Sequence, residues 1–150
     1  MKSLSNAEWE VMRVIWAKQE VTSQAIIDVL ATNMNWQPST IKTLLIRLGE
    51  KKYIQAQKQG RKFLYTAVVN ETEALQQELA ALIEKTCATK RANLLCSMID
   101  NIALDDKMKE QVIQALQQKT TQSVHCTCIK GQCNCHHEGG VEHETTICHS

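Results

Sequence analysis

Apolar residues recur at helical spacing in three early segments, and the polar residues around them mark where each segment begins. Ser5-Asn6-Ala7-Glu8 has the form of a capping box, in which the Ser hydroxyl and the Glu carboxylate satisfy the first free amides of a helix. Behind it, Trp9, Met12, Val14, Ile15 and Trp16 predict the buried stripe of a first helix ending near Ala17. Thr22 or Ser23 caps a second helix, which carries Ala25, Ile26, Val29 and Leu30. The polar stretch Thr32-Asn33-Met34-Asn35 predicts a break. Pro38 then opens a third helix from a first-turn position, where its missing N–H costs nothing. In that helix Ile41, Leu44, Leu45 and Leu48 repeat at i, i+3, i+4 and i+7 and turn inward. Ser39, Thr40, Lys42, Thr43, Ile46 and Arg47 are left facing outward.

The period then changes. Residues 53–57 and 63–68 read as two short strands around Lys58-Gln59-Gly60-Arg61-Lys62, a basic turn with a glycine in it. Three helices followed by a hairpin predict the winged form of the helix-turn-helix. From residue 70 to 119 the pattern is helical again. Asn70 with Glu73 starts one helix bearing Leu75, Leu79, Leu82 and Ile83. Another runs from about Thr89 with Leu94, Leu95, Met98, Ile99 and Ile102. A last one starts at Asp105 with Met108, Val112, Ile113 and Leu116. Such short amphipathic helices cannot cover their own stripes, so a two-fold homodimer is expected, with packing back onto the front of the chain as the rival arrangement. Cys87 and Cys96 fall in this region and are read as small buried hydrophobes rather than ligands. The expected fold is therefore mainly α. A winged helix-turn-helix spans residues 1–69, a helical dimerisation region 70–122 and a Cys-rich metal-binding tail 123–150.

Charge sharpens the first of these assignments. The chain is nearly neutral overall, at +1, yet residues 1–70 hold ten basic side chains against five acidic ones. A basic front on a neutral chain points to an anionic partner for that part alone. With short hydroxyls and bases on the third helix and Lys58, Arg61 and Lys62 clustered at the turn, the partner expected is double-stranded DNA. Exposed stacking aromatics, which RNA would favour, are missing from the pattern. No run approaches the roughly 18 apolar residues of a membrane span. Met1 to Trp16 lacks the apolar stretch of an export signal, so the reducing cytoplasm is the expected setting.

Chemistry enters with the tail, His125-Cys126-Thr127-Cys128-Ile129-Lys130-Gly131-Gln132-Cys133-Asn134-Cys135-His136-His137. Two Cys-x-Cys pairs face each other across four residues, and Gly131 lets the chain turn back between them. Cys126, Cys128, Cys133 and Cys135 thus form a compact thiolate set, the soft donors that select Zn(II) or Cu(I). Zinc would take four sulfurs at about 2.3 Å, whereas Cu(I) takes fewer per ion, so one loop can hold either metal in two shapes. His125, His136 and His137 adjoin the thiolates and read as solvated. The segment 138–142 is expected to be mobile, and Cys148 and His149 stay outside the ligand set. A thiol oxidoreductase would want Cys-x-x-Cys at a helix start, and no acid–base pair or phosphate loop is present, so an enzyme is not expected. A copper or zinc storage or transfer protein is the alternative; it would show no salt-dependent affinity for DNA.

The front of the chain resembles the BlaI/MecI family of bacterial winged-helix repressors. The resemblance lies in Leu4-Ser5-Asn6-Ala7-Glu8-Trp9-Glu10-Val11-Met12 through Ile15-Trp16, and in Trp36-Gln37-Pro38-Ser39-Thr40-Ile41-Lys42-Thr43-Leu44-Leu45-Ile46-Arg47-Leu48. It extends over about residues 4–119. The Cys-x-Cys-x4-Cys-x-Cys tail is similar to that of the CopY-type copper-responsive subgroup. The resemblance implies a dimeric repressor of a copper-homeostasis operon that holds a palindromic operator with Zn(II) on its thiolates. Cu(I), delivered by a small copper metallochaperone, would displace the zinc and release the DNA. The resemblance also implies DNA contacts from Thr40, Lys42, Thr43 and Arg47 in the recognition helix and from Lys58, Arg61 and Lys62 in the wing. The β-lactam-responsive relatives are cut at an Asn-Phe bond in the dimerisation region. Ser97-Met98 stands there in this chain, which favours metal exchange over proteolysis as the trigger.

Overall fold

The computed structural model describes residues 2–135; the expectations for His136, His137, residues 138–142, Cys148 and His149 lie outside that range. In order, the elements are α1 (Asn6–Lys18), β1 (Glu20–Thr22), α2 (Ser23–Met34), α3 (Pro38–Glu50), β2 (Ile54–Gln59), β3 (Lys62–Ala67) and α4 (Glu71–Lys85). A 3₁₀ turn (Ala88–Lys90), α5 (Arg91–Asn101) and α6 (Asp106–Gln117) follow. The chain divides into two compact units, one running to Leu79 and the other from Ala80.

The first unit follows the hydrophobic pattern closely. Ile41, Leu44, Leu45 and Leu48 of α3 are all buried, against Val11, Met12 and Ile15 of α1 and Ile26, Ile27 and Leu30 of α2. Trp9 and Trp16, expected in the stripe of α1, are only partly buried; they meet edge to face, ring centroids 5.4 Å apart. Trp16 Nε1 also donates to the Val69 carbonyl at 2.8 Å, which fixes α1 against the approach to α4.

Three details depart from the sequence reading. Glu20–Thr22 is a strand, pairing antiparallel with β3 from Glu20↔Thr66 to Thr22↔Leu64, so the sheet order is β1-β3-β2. Three residues are too few to show an alternating pattern; the neighbouring strand, rather than local propensity, makes this one. The expected break at Thr32-Asn33-Met34-Asn35 is confined to its last residue. Asn33 Nδ2 bonds back to the Val29 carbonyl at 2.7 Å inside α2, and the helix ends at Asn35 in the left-handed region that Asn tolerates. The hairpin is also tighter than expected: Gln59 pairs with Lys62, leaving Gly60 and Arg61 as a two-residue turn. Gly60 has φ +62°, at the first central position where such a turn requires glycine.

The capping box at the start of α1 forms, with Ser5 N–H donating to Glu8 Oε2 at 2.7 Å and Glu8 N–H donating to Ser5 Oγ at 3.2 Å. Glu8 is 2 % exposed, and Lys51, just past the end of α3, reaches in to donate to its Oε2 at 2.6 Å and to the Ser3 carbonyl at 2.9 Å. Burial alone would push the Glu8 carboxyl up. The bonds from Lys51 and Ser5 outweigh it and hold the carboxyl below its ordinary value.

The second unit is different in kind. Its α5 and α6 bury no side chain, and Leu82, Leu95, Met98, Ile102, Met108, Ile113 and Leu116 are 36–54 % exposed. The helices form where their caps and periods place them: Asn70 and Glu73 exchange bonds at the start of α4, and Asp105 Oδ1 accepts from Met108 N–H at the start of α6. Their apolar stripes, however, remain exposed among the described residues.

A carboxyl held low in the fold contributes stability that is complete above its unfolded value and lost as pH falls through the folded one. Lys51→Ala strands the Glu8 charge and should cost about 3 kcal/mol at neutral pH. Urea unfolding of the two proteins should converge as pH falls through the lowered value at which Glu8 takes up a proton in the fold. A gap that does not depend on pH would contradict the ion pair as its source.

Candidate functional site

Two groups of residues carry the chemistry, one in each unit. In the first unit, burial of the Ile41, Leu44, Leu45 and Leu48 row turns the opposite side of α3 to solvent. Thr40, Lys42, Thr43 and Arg47 are all exposed there, with Ile46 among them. Thr43 Oγ1 donates to the Ser39 carbonyl at 3.0 Å, which uses its proton and leaves its lone pairs and methyl available. Trp36, in the short link from α2 to α3, packs against the core and so sets the angle at which α3 is presented. On the hairpin, Lys58 and Lys62 belong to β2 and β3 and Arg61 to the turn itself; all three are exposed. Among the described residues, none of Lys42, Arg47, Lys58, Arg61 and Lys62 is in an ion pair with a carboxylate. Their charges therefore remain available to an external anion.

In the second unit the sulfurs gather. Cys126, Cys128 and Cys133 come together with Cys87, all four Sγ atoms lying within 4.8 Å of one another. Cys126 and Cys133 are 3.3 Å apart, and Cys87 lies 3.4 Å from Cys126. The loop turns back at Gly131, with φ +91°, and the Gln132 N–H closes it onto the Ile129 carbonyl at 3.1 Å. Cys135 stands one step aside: its sulfur is 3.8 Å from Cys87 and 3.2 Å from Thr89 Oγ1. The expected set of Cys126, Cys128, Cys133 and Cys135 and the tightest observed group thus share three members.

Cys87 was expected to be a small buried hydrophobe. It is buried, but its sulfur lies against other sulfurs and the Thr89 hydroxyl. A pattern read within a short window cannot see a partner 39 residues away. The available signal was its place in the break between two helical runs, just before Thr89.

The sulfurs also polarise one another. The Thr89 hydroxyl and then the Thr89 amide bring the Cys87 thiol down to about 5, burial opposing them and the thiols of Cys126 and Cys128 assisting. For Cys126 the Cys128 backbone pulls downward, but burial and the sulfurs of Cys133 and Cys87 prevail and push it up to about 12. Burial, then Cys87 and Cys133, push Cys128 up to about 11. Cys135 is also raised: the pull of the Thr89 hydroxyl is outweighed by Cys133, burial and Cys87. Of these four thiols, Cys87 is therefore the one favoured to carry negative charge, ahead of Cys126, Cys128 and Cys135.

This donor set fits a soft cation. Four thiolates around one ion at about 2.3 Å stand about 3.8 Å from each other; the closest pairs here, at 3.3 and 3.4 Å, are somewhat shorter, and the whole group lies within 4.8 Å. No helix among the described residues is long and apolar enough to cross a membrane.

Comparison with known proteins places these features in context. The family model described as penicillinase repressor matches residues 4–121. An uncharacterized 16.5 kDa protein from the ptsI 3′ region of Latilactobacillus sakei is 37 % identical over 138 residues, covering 90 % of this chain and 94 % of its own. An alignment of that reach must continue past residue 121, into the cysteine segment. The penicillinase repressor of Bacillus licheniformis is 27 % identical over 115 residues, covering 77 % of this chain and 90 % of its own. Among solved structures, the DNA-binding domain of the repressor BlaI is 38 % identical, with a TM-score of 0.45 over 49 % of this chain and 93 % of that one.

Thiols must shed their protons to ligate a metal. At pH 7 Cys126 and Cys128 are protonated, so uptake of one Zn(II) per chain should release two or more protons, read with a pH indicator in weak buffer. Zinc bound without proton release would exclude these two thiols from the site.

Proposed function

The chain belongs to the penicillinase repressor family, the BlaI/MecI repressors, and on that premise we propose that it is a copper-responsive transcriptional repressor. Membership makes it a regulator rather than an enzyme. The observation that carries the finer reading is the group of sulfurs within 4.8 Å, set in the same chain as an exposed basic reading helix.

Two copies would meet through the uncovered stripes of α5 and α6, since Leu95 and Met98 of α5 and Met108, Ile113 and Leu116 of α6, at 36–54 % exposure, are poorly tolerated in water. A two-fold pair carries two α3 helices, suited to a palindromic operator with half-sites about one turn, roughly 34 Å, apart. Thr40, Lys42, Thr43 and Arg47 would enter the major groove, Arg47 with the fork geometry that reads guanine. Lys58, Arg61 and Lys62 on the wing would meet neighbouring phosphates and fix register without reading sequence.

The metals act at the tail. Zn(II), when bound, supplies a four-sulfur crosslink, and Cu(I), softer and content with fewer sulfurs per ion, supplies a stronger bond to the same thiolates. Cys126, Cys128 and Cys133 would hold either ion, with Cys135 beside them. The zinc-bound shape is the one that would favour the operator, and the copper-bound shape the one that releases it. A metal shifts this balance only through different affinities for the two shapes. A small copper metallochaperone is the proposed donor of Cu(I), because free cuprous ion would be taken by any thiol it met. Storage or transfer of copper without gene control, the alternative reading, would leave the basic surface of α3 and the wing without a task.

Gel-shift titrations of the zinc-loaded protein on a palindromic duplex test the assignment. Lys58→Ala should weaken binding to every sequence and lower the log–log salt slope by about 1. Arg47→Ala should cost about 1–3 kcal/mol on the preferred site and relax preference at one base pair. An unaltered sequence preference would remove Arg47 from base readout, and binding that is insensitive to salt would favour the storage reading.

A further inference from the structure

We propose that Cys87, at the junction of α4 and α5, is itself a metal ligand, so that an ion bound by the tail fastens the tail to the helical region. The inference rests on the reading above that the tail cysteines bind metal, and adds where they are anchored. Cys87 Sγ is 3.4 Å from Cys126 Sγ and 3.8 Å from Cys135 Sγ, close to the edge of about 3.8 Å in a four-thiolate tetrahedron. With Cys126, Cys128 and Cys133 it completes the number of sulfurs that zinc takes. A cysteine present only to fill space would sit among apolar side chains. This one has the thiols of Cys126, Cys128, Cys133 and Cys135 and the Thr89 hydroxyl around it.

Its backbone suits the role. Cys87 immediately precedes the 3₁₀ turn, and its carbonyl accepts from Lys90 N–H at 2.9 Å. On the other side, Thr86 Oγ1 donates to the Leu82 carbonyl at 3.1 Å, and Arg91 Nε donates to the Thr86 carbonyl at 3.3 Å. The sulfur is thus presented from chain already held by its own hydrogen bonds, as a ligand requires. The same two segments meet again at Thr89 Oγ1 to Cys135 Sγ, 3.2 Å, and at Lys90 Nζ to Asn134 Oδ1, 3.4 Å. Five sulfurs therefore compete for four places. Cys135, held by the Thr89 hydroxyl, is the one left over in the zinc form. Anchored through Cys87, a change of ion is felt directly where α4 ends and α5 begins, next to the uncovered stripes.

The test uses the full-length chain and its Cys87→Ser and Cys135→Ser variants, each loaded with Co(II) as a spectroscopic substitute for zinc. Introduced together with Cys135→Ser, so that no fifth sulfur can take the vacated place, Cys87→Ser should lose about a quarter of the thiolate-to-cobalt charge-transfer intensity, one sulfur in four. It should also bind Zn(II) at least about tenfold more weakly in chelator competition. Cys135→Ser should change neither. An unaltered spectrum and affinity in Cys87→Ser, with the loss in Cys135→Ser instead, would overturn the proposal while leaving a tail-only metal site standing. An unaltered chain that takes up neither ion would overturn the metal-site reading as well. Should Cys87→Ser fail to fold, alkylation of the natural chain decides the matter. Zinc loading should slow modification of Cys87 by about tenfold or more, and an equal rate with and without zinc would overturn the assignment.

Discussion

A ten-residue loop of cysteines, polar residues and one exposed isoleucine has almost no apolar surface to bury. It can be held in one shape only by interactions other than hydrophobic packing, and the sulfur group at Cys87, Cys126, Cys128 and Cys133 is where those interactions converge. Ordering such a loop costs on the order of 1–2 kcal/mol per residue in backbone entropy, more than a few thiol hydrogen bonds return. An ion gripped by four thiolates contributes on the order of 10 kcal/mol, the same size as that cost. Under the proposed function, a loop whose shape depends on the ion it holds has the property a sensor needs.

The first unit is built on the opposite logic. Its core closes without help: four inward residues of α3 meet α1 and α2, a buried ion pair between Glu8 and Lys51 fastens the start of α1 to the end of α3, and the Trp16 indole fixes the approach to α4. Such a core keeps Thr40, Lys42, Thr43 and Arg47 on a fixed surface, so that under the proposed function DNA binding would cost little further ordering. The second unit leaves its stripes open, a surface that a second copy would cover. Under the proposed function the three parts divide the work: a stiff reader, a surface completed by pairing, and a loop whose form depends on its ion.

Most of the first unit was legible in the sequence because local and tertiary signals agree there. The capping box at Ser5 and Glu8, Pro38 at the start of α3 and the i, i+3, i+4, i+7 row each point to the element that forms. What escaped was set by distant partners: the strand Glu20–Thr22 exists because β3 lies beside it, and Trp9 and Trp16 pair at the edge of the core instead of entering it. The candidate site divides in the same way. Three tail cysteines were evident from spacing alone, since a Cys-x-Cys pair brings its own sulfurs close. The place of Cys87 among them was not, because it depends on a contact across 39 residues that no local pattern encodes. Gly60 and Arg61 show an intermediate case, in which the turn was evident but its length was fixed by the pairing of Gln59 with Lys62.

The most direct measurement is the fluorescence anisotropy of a labelled palindromic duplex titrated with the full chain, first with Zn(II) on its thiolates and then after replacement by Cu(I) at fixed ionic strength. Coupling of the sulfur loop to the reading helices predicts a fall in affinity of about 5- to 150-fold on replacement. Equal affinity in the two metal states, with both ions shown to be bound, would contradict it.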